Sequence, residues 1–164
     1  MTTTDTLLPR DEEFINFGEL PAAVNDLLQR GVVEYRRDRQ AADVLFREAL
    51  AAAPQQLPIY YCLYKIHTYQ GNLREALAIA QGGLREAARQ SGWSDDYRQW
   101  QRPPALDGPA RFALYTLKAL AFIHLRRNEP ATAASILKRL AVLDPEGSVG
   151  WTVIAELAAG SRRI

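Results

Sequence analysis

The segment PIYYCLYKIHTYQGNLREAL, which runs from Pro58 to Leu77, decides the fold class of this chain. Helical spacing sorts the side chains of its first half into three stripes. The first stripe contains Tyr60, Leu63, Tyr64 and His67, the second Ile59, Cys62 and Ile66, and the third Tyr61, Lys65, Thr68 and Tyr69. A helix packed between two neighbours requires two such buried stripes, and the third stripe is left over. The segment therefore predicts a mostly buried helix.

Three further segments repeat the helical period, at 41–54, 73–90 and 131–145. Each of them places small and large apolar side chains on one face and charged side chains on the other. Alternating patterns typical of β-strands are absent, whereas the good helix formers alanine, leucine, arginine and glutamate are abundant. Prolines 21, 58 and 109 stand where helices can begin. The sequence therefore predicts an all-α fold.

The spacing of these segments indicates a repeat. Ala42 and Ala76 begin two of the apolar faces, and the interval between them is the length of one helical hairpin with its turns. Pro145 follows Ala133, the leading alanine of its own segment, at the same interval as Pro54 follows Ala42. A helix–turn–helix unit of about 34 residues, the interval from Ala42 to Ala76, is the period of the tetratricopeptide repeat, TPR.

The chain resembles the TPR family over roughly 21–160. The matching residues are Ala42, Phe46, Ala49 and Pro54 in the first unit, Tyr60, Leu63, Gly71 and Ala76 in the second, and Leu120, Ala121, Asn128, Ala133 and Pro145 in the third, after which Trp151, Ile154 and Ala155 restart the pattern. The chain departs from the family pattern at several positions. Arg30 and Tyr64 stand where the family has a small residue, Arg37 replaces the turn glycine, and Ala88 replaces the closing proline. Gly31 and Tyr35 are each shifted by one position from the family register. The resemblance implies a right-handed α-α superhelix of about three TPR-like helical hairpins with a C-terminal capping helix.

The register also divides the chain. We expect an N-terminal tail at 1–20, a single TPR-like domain at 21–160, and a C-terminal tail at 161–164. The interval from Ala76 to Ala133 exceeds one repeat by about 23 residues. An insertion therefore separates the second and third units, at about 91–109, and its prolines and glycines predict irregular, exposed structure. We expect Trp93 and Trp100 within it to be partly buried, either as a staple that fastens the insertion to the helix before it, or as a lid or an interface.

Composition excludes several classes of function. Twenty basic and nineteen acidic side chains give a net charge of +1, which offers no general attraction to nucleic acid or to an anionic membrane. The chain has neither an N-terminal targeting pattern nor an apolar run long enough to span a bilayer, and we expect a cytoplasmic protein. No nucleophile–base pair or phosphate-binding glycine loop is present, so we expect neither an enzyme nor a cofactor.

Two histidines and one cysteine could be taken for a metal site. His67 and His124 fall at the same place in the second and third units, and we interpret each as a packed ring with one hydrogen bond rather than as a metal ligand. Cys62 is the only cysteine, so it forms no disulfide within the chain, and we interpret it as a small buried apolar residue.

The resemblance implies a partner-binding groove along the first helix of each hairpin. The residues carried over to it are Tyr35, Tyr61, Lys65, Thr68, Tyr69, Tyr115, Lys118, Phe122 and Arg126, with Glu34 beside the first. Aromatic rings supply contact area at a small cost in entropy, and cations fix the register of a bound chain. We therefore expect a protein partner, bound through a segment with apolar and acidic character. The protein's own segment at 14–17 is the alternative occupant.

The expected function is a non-enzymatic interaction module, acting as an adaptor, scaffold or assembly chaperone. One alternative is a chaperone like those of type III secretion, a family of similar size with about three TPR units. Another is a helical domain that binds a small ligand, if the insertion closes a pocket. The sequence also leaves a homodimer open.

Overall fold

The computed structural model of the protein describes residues 19–161, and every regular element in that range is helical. The α-helices are α1 (Ala22–Tyr35), α2 (Arg39–Ala52), α3 (Leu57–Gln70), α4 (Leu73–Ser91), α5 (Gly108–Arg126), α6 (Pro130–Leu143) and α7 (Trp151–Ser161), with one 3-10 turn at Tyr97–Gln99. This confirms the predicted all-α fold. The expectations for residues 1–18 and 162–164 lie outside the described part of the chain.

The three alanines that define the register lie on alternate helices. Ala42 is on α2, Ala76 on α4 and Ala133 on α6, and each of them is fully buried. The contacts divide the chain after Asn72 into two compact units, the first containing α1 to α3 and the second α4 to α7. The expectation of a single domain over 21–160 stays a prediction.

In the first unit, α1 and α2 pack as a hairpin and α3 packs on α2. Gly31 makes the close approach of the hairpin possible, because a β-carbon there would stand 2.4 Å from Cε1 of Phe46. Gly31, and not Arg30, therefore takes the place of the small residue. The interval from Gly31 to Ala42 is one position shorter than the interval from Ala121 to Ala133, so the α1–α2 hairpin is one residue shorter than the α5–α6 pair.

The turn between α1 and α2 does not need a glycine. Arg36 ends α1 in the right-handed helical region, with φ −79° and ψ −24°. Asp38 then begins α2, and its carboxylate accepts hydrogen bonds from the backbone N–H groups of Gln40 and Ala41. The arginine at position 37 is therefore tolerated where the family has glycine.

The ends of α3 and α5 share one capping geometry, in which the chain turns through a left-handed residue. Gly71 has φ +81° and Asn128 has φ +60°. After each of them the next backbone N–H, of Asn72 or Glu129, donates to a histidine carbonyl, at 2.8 Å and 2.9 Å respectively. This confirms that Asn128 substitutes for a turn glycine.

In the second unit, α5 packs against α4, α6 and α7, and α6 packs against α7. Residues 92–107 are irregular apart from the 3-10 turn, as predicted for the insertion. A loop at 144–150 joins α6 to α7. The carboxylate of Asp144 fixes this loop by accepting the N–H groups of Ser148 and Val149 and the hydroxyl of Ser148.

Candidate partner-binding faces on α3 and α5

The leftover stripe of α3 carries a lysine between two tyrosines. Lys65 Nζ lies 5.3 Å from the ring centroid of Tyr61 and 6.0 Å from that of Tyr69. All three side chains are half-buried, whereas the neighbouring Ile59, Cys62 and Ile66 are fully buried. The predicted division of this helix between core and a remaining face is therefore confirmed.

Two residues expected on the partner-binding surface are buried instead. Thr68 is 4% exposed and Tyr35 is 5% exposed. The Thr68 hydroxyl donates to the carbonyl of Tyr64 one turn earlier, at 2.6 Å, which turns it toward its own helix. Tyr35 continues the buried stripe of Leu28 and Val32 at intervals of four and three residues. Neither side chain offers a partner much surface, which corrects the expectation for both.

The surroundings of Tyr35 explain why its neighbours are not a binding face. The guanidinium of Arg39 lies 5.2 Å from the Tyr35 ring centroid and covers it from α2. Glu34 is half-buried and pairs with Arg37 at 3.4 Å. The end of α1 is therefore engaged in the turn to α2.

On α5 the four expected residues lie on one face. Lys118 Nζ stands 3.9 Å from the ring centroid of Tyr115, and the guanidinium of Arg126 lies 5.9 Å from that of Phe122. Arg126 is exposed, and the other three are half-buried. Burial of Lys118 lowers the pKa of its ammonium group, and the nearby charge of Arg111 lowers it further.

These two faces have the same chemistry, although each belongs to a different unit. In both of them a lysine lies over a tyrosine ring one turn away on the same helix. A cation over an aromatic face is attracted by the ring quadrupole, and the pair offers a partner both apolar area and positive charge. We call Tyr61, Lys65 and Tyr69 the α3 face, and Tyr115, Lys118, Phe122 and Arg126 the α5 face.

His67 makes more contacts than the single hydrogen bond expected. Its Nε2 lies 2.7 Å from a carboxylate oxygen of Asp43, and its Nδ1 lies 3.3 Å from the side-chain amide of Asn72. Arg47 donates to both oxygens of the same carboxylate at 3.0 Å. The cluster joins α2 to the end of α3, so we interpret it as a structural pin.

His124 has the corresponding arrangement in the second unit. Its Nδ1 lies 3.0 Å from the Glu129 carboxylate, which also accepts from Arg127 Nε at 2.8 Å. Among residues 19–161 no group of three or more His, Cys, Asp or Glu side chains could hold a metal ion. Sequence reasoning missed the carboxylate partners, although each histidine stands shortly before the turn that ends its helix.

Cys62 lies in the core of α3. It is fully buried, and this burial raises the pKa of its thiol to about 12. The thiol therefore stays protonated near neutral pH, as its interpretation as an apolar residue requires.

The insertion is anchored by Trp100, which is 2% exposed. Its indole N–H donates to the Ser94 carbonyl at 2.7 Å, and its ring centroid lies 4.8 Å from that of Trp93. From α6, the guanidinium of Arg139 donates to the carbonyls of Trp100 and Tyr97. These contacts support the interpretation of the tryptophans as a staple, but they fasten the insertion to α6 and not, as expected, to the helix before it.

Sequence reasoning did not locate the cleft that the insertion forms with the loop at 144–150. Its volume is about 560 Å³, and it is lined by Arg102, Pro103, Pro104, Leu106, Leu143, Asp144, Glu146 and Ser148. Arg102 and Glu146 form an ion pair of 2.6 Å at its rim, and both side chains are more than half exposed. The two residues are 44 positions apart in the sequence, so no local sequence pattern predicts this ion pair.

Within the described residues, none of the helices combines the length and the apolar character needed to cross a bilayer. No protein-family model, curated protein or solved structure matches the chain.

Proposed function

We propose that this protein is an interaction module that binds another protein through the α3 face and the α5 face. The partner contributes a segment with apolar side chains and an acidic group. The adaptor, scaffold and assembly-chaperone roles are all forms of this activity. The observation that carries the proposal is the lysine held over a tyrosine ring on each face.

The chemistry of the faces supports a protein partner over other ligands. Half-buried rings give a segment apolar area without requiring many side chains to become ordered. The lysines add an attraction to carboxylates that salt weakens. The near-neutral charge of the whole chain gives no comparable support for nucleic acid.

The test begins with a partner isolated by pull-down and its affinity measured at several salt concentrations. We expect the double variant Lys65→Ala and Lys118→Ala to bind more weakly and with a smaller dependence on salt. Tyr61→Ala should weaken binding without changing the salt dependence, because it removes apolar area only. Lys138→Ala is the matched control, since Lys138 is the third lysine of the chain and lies exposed on α6.

The circular dichroism of each variant must equal that of the parent protein for this comparison to hold. Unchanged affinity in both the double lysine variant and Tyr61→Ala would contradict the proposal. The binding surface would then lie on the insertion or on other faces of the helices.

A second candidate function is the binding of a small ligand in the cleft beside the insertion. Its volume of about 560 Å³ falls within the usual range of ligand sites. Native mass spectrometry of the purified protein should then show a retained mass that Leu106→Arg removes by filling the cleft. The same spectrum without any bound mass, before and after incubation with a host metabolite extract, would exclude this function.

A further inference from the structure

Two cations of α5 reach the loop at 144–150. A terminal guanidinium nitrogen of Arg111 donates to the Ser148 carbonyl at 3.3 Å. Lys118 Nζ lies 3.6 Å from the position that a β-carbon on Gly150 would occupy. The two residues are seven positions apart on α5, which places them on the same side of the helix two turns apart.

Neither cation has a carboxylate within ion-pair distance in the part of the chain that the structure describes. The two carboxylates of the loop are engaged elsewhere. Asp144 is buried and accepts hydrogen bonds from Ser148 and Val149, and Glu146 pairs with Arg102. The positive charge at this place is therefore not neutralised by the loop that it contacts.

Keeping two such cations together is unfavourable without an anion. Lys118 is partly buried, and such a charge is normally paired because burial removes its hydration, whereas Arg111 is exposed and adds a like charge nearby. The lowered pKa of Lys118 has two causes, first burial and then the neighbouring Arg111. The Tyr115 ring, at 3.9 Å, compensates the ammonium group in part, but a ring quadrupole does not replace a full negative charge.

We infer that Arg111 and Lys118 form an oxyanion site beside the loop at 144–150, and that the site takes a phosphoryl group. Two positive charges match the charge of about −1.5 to −2 that a phosphoryl group carries at neutral pH. The guanidinium offers directed N–H donors and the ammonium group a compact charge, a combination suited to several oxygens on one centre. A carboxylate would neutralise only one of the two cations.

In the cell this group would belong to a phosphorylated side chain of the partner segment, and that part of the inference rests on the proposed function. The site itself does not depend on it, because inorganic phosphate can occupy the site alone. An experiment can therefore contradict the oxyanion site without contradicting the proposed function, or the reverse.

The experiment measures thermal unfolding of the full chain at pH 7 with increasing inorganic phosphate, at constant ionic strength set with sodium chloride. Acetate in place of phosphate is the second arm. We expect a saturable rise in Tm with phosphate, since a ligand that binds only the folded state stabilises it according to its concentration and affinity. Acetate should need a concentration about tenfold higher for the same rise.

The variants are Lys118→Met, which removes the charge and keeps most of the chain length, and Arg111→Gln. Each should weaken the apparent phosphate affinity about tenfold or more, because one charge-assisted contact is lost. Lys138→Met should bind phosphate like the parent protein. Arg111 is exposed, so its variant decides the question even if Lys118→Met fails to fold.

A rise in Tm that does not saturate, or that is equal in Arg111→Gln, Lys118→Met and the parent, would overturn the site. Acetate acting at the same concentrations as phosphate would overturn its assignment to phosphoryl groups. Phosphate binding as expected, together with unchanged partner binding in the double lysine variant and in Tyr61→Ala, would overturn the proposed function and leave the site intact.

Discussion

Replacing Gly31 by alanine tests how α1 packs on α2. The new β-carbon would stand 2.4, 2.8 and 2.9 Å from three ring carbons of Phe46, which is closer than such carbons approach. Phe46 is fully buried, so its ring cannot swing into solvent. Overpacking of this kind costs about 1–3 kcal/mol. Alanine is better than glycine inside a helix by roughly 0.5–1 kcal/mol, which offsets part of that cost.

We therefore expect Gly31→Ala to lower the free energy of unfolding by about 1 kcal/mol, the difference between the middles of the two ranges. Urea unfolding followed by far-ultraviolet circular dichroism measures it. Tryptophan fluorescence is the wrong readout, because all three tryptophans lie in the second unit.

The double variant Gly31→Ala with Phe46→Leu separates the two effects. Leucine lacks the ring carbons that the new β-carbon would meet, so alanine should cost less in the Phe46→Leu background than in the parent. We expect a coupling free energy of about 1 kcal/mol or more between the two positions. Gly160→Ala is the control, because nothing lies within 4 Å of its β-carbon position. A Gly31→Ala protein as stable as the parent, or additive effects in the double variant, would refute this account of the packing.

Three further predictions concern single side chains. Cys62 should not react with a thiol reagent at pH 8 until the protein unfolds, since its pKa is raised to about 12 and it is fully buried; rapid reaction of the native protein would contradict this. Arg139→Ala should shift the tryptophan emission to longer wavelength and increase quenching by iodide, because Trp100 loses its anchor to α6, whereas Arg98→Ala, which removes only an exposed ion pair, should not. The folded state lowers the pKa of Lys118, so in the window between the lowered and the ordinary pKa the unfolded chain binds more protons and stability rises with pH. The parent should therefore gain stability relative to Lys118→Met as the pH rises through this window. A difference in stability between the two proteins that does not change with pH would contradict the lowered pKa of Lys118.

The helices and their order could be predicted because helical periodicity is a local property of the sequence. Spacing alone placed Ala42, Ala76 and Ala133 on three separate helices, and all three are buried there, on α2, α4 and α6. The core of α3 followed from the same rule, since Ile59 and Ile66 lie one stripe away from Lys65. A pattern of this kind reports which side chains share a face.

The sequence could not show which residues each helix face contacts. The wrong expectations for the binding surface have this cause. Tyr35 was assigned to the binding surface by carrying one register onto a hairpin that is one residue shorter. Thr68 lies on the predicted stripe, but its hydroxyl bonds to its own helix. Arg111 precedes the aligned positions, and its contact with Ser148 joins residues 37 positions apart. Contacts between residues so far apart in the sequence depend on how the helices pack, and the periodicity of the sequence does not predict them.

The two capped helix ends show that different residues can build the same turn. At α3 the turn uses Gly71 and an amide from Asn72, whereas at α5 it uses Asn128 and a carboxylate from Glu129. The backbone hydrogen bonds are nevertheless the same, because both turn residues accept a positive φ. A helix end of this kind therefore needs one residue that tolerates a positive φ, and the side chain that follows it can differ.

The remaining positions are not fixed by the helical spacing or by a turn. Lys65, Lys118 and Arg111 lie among those remaining positions. None of them is needed for the helical spacing or for a turn, and the burial of Lys118 even opposes its charge. For this reason we look to these three cations for the function that is particular to this protein.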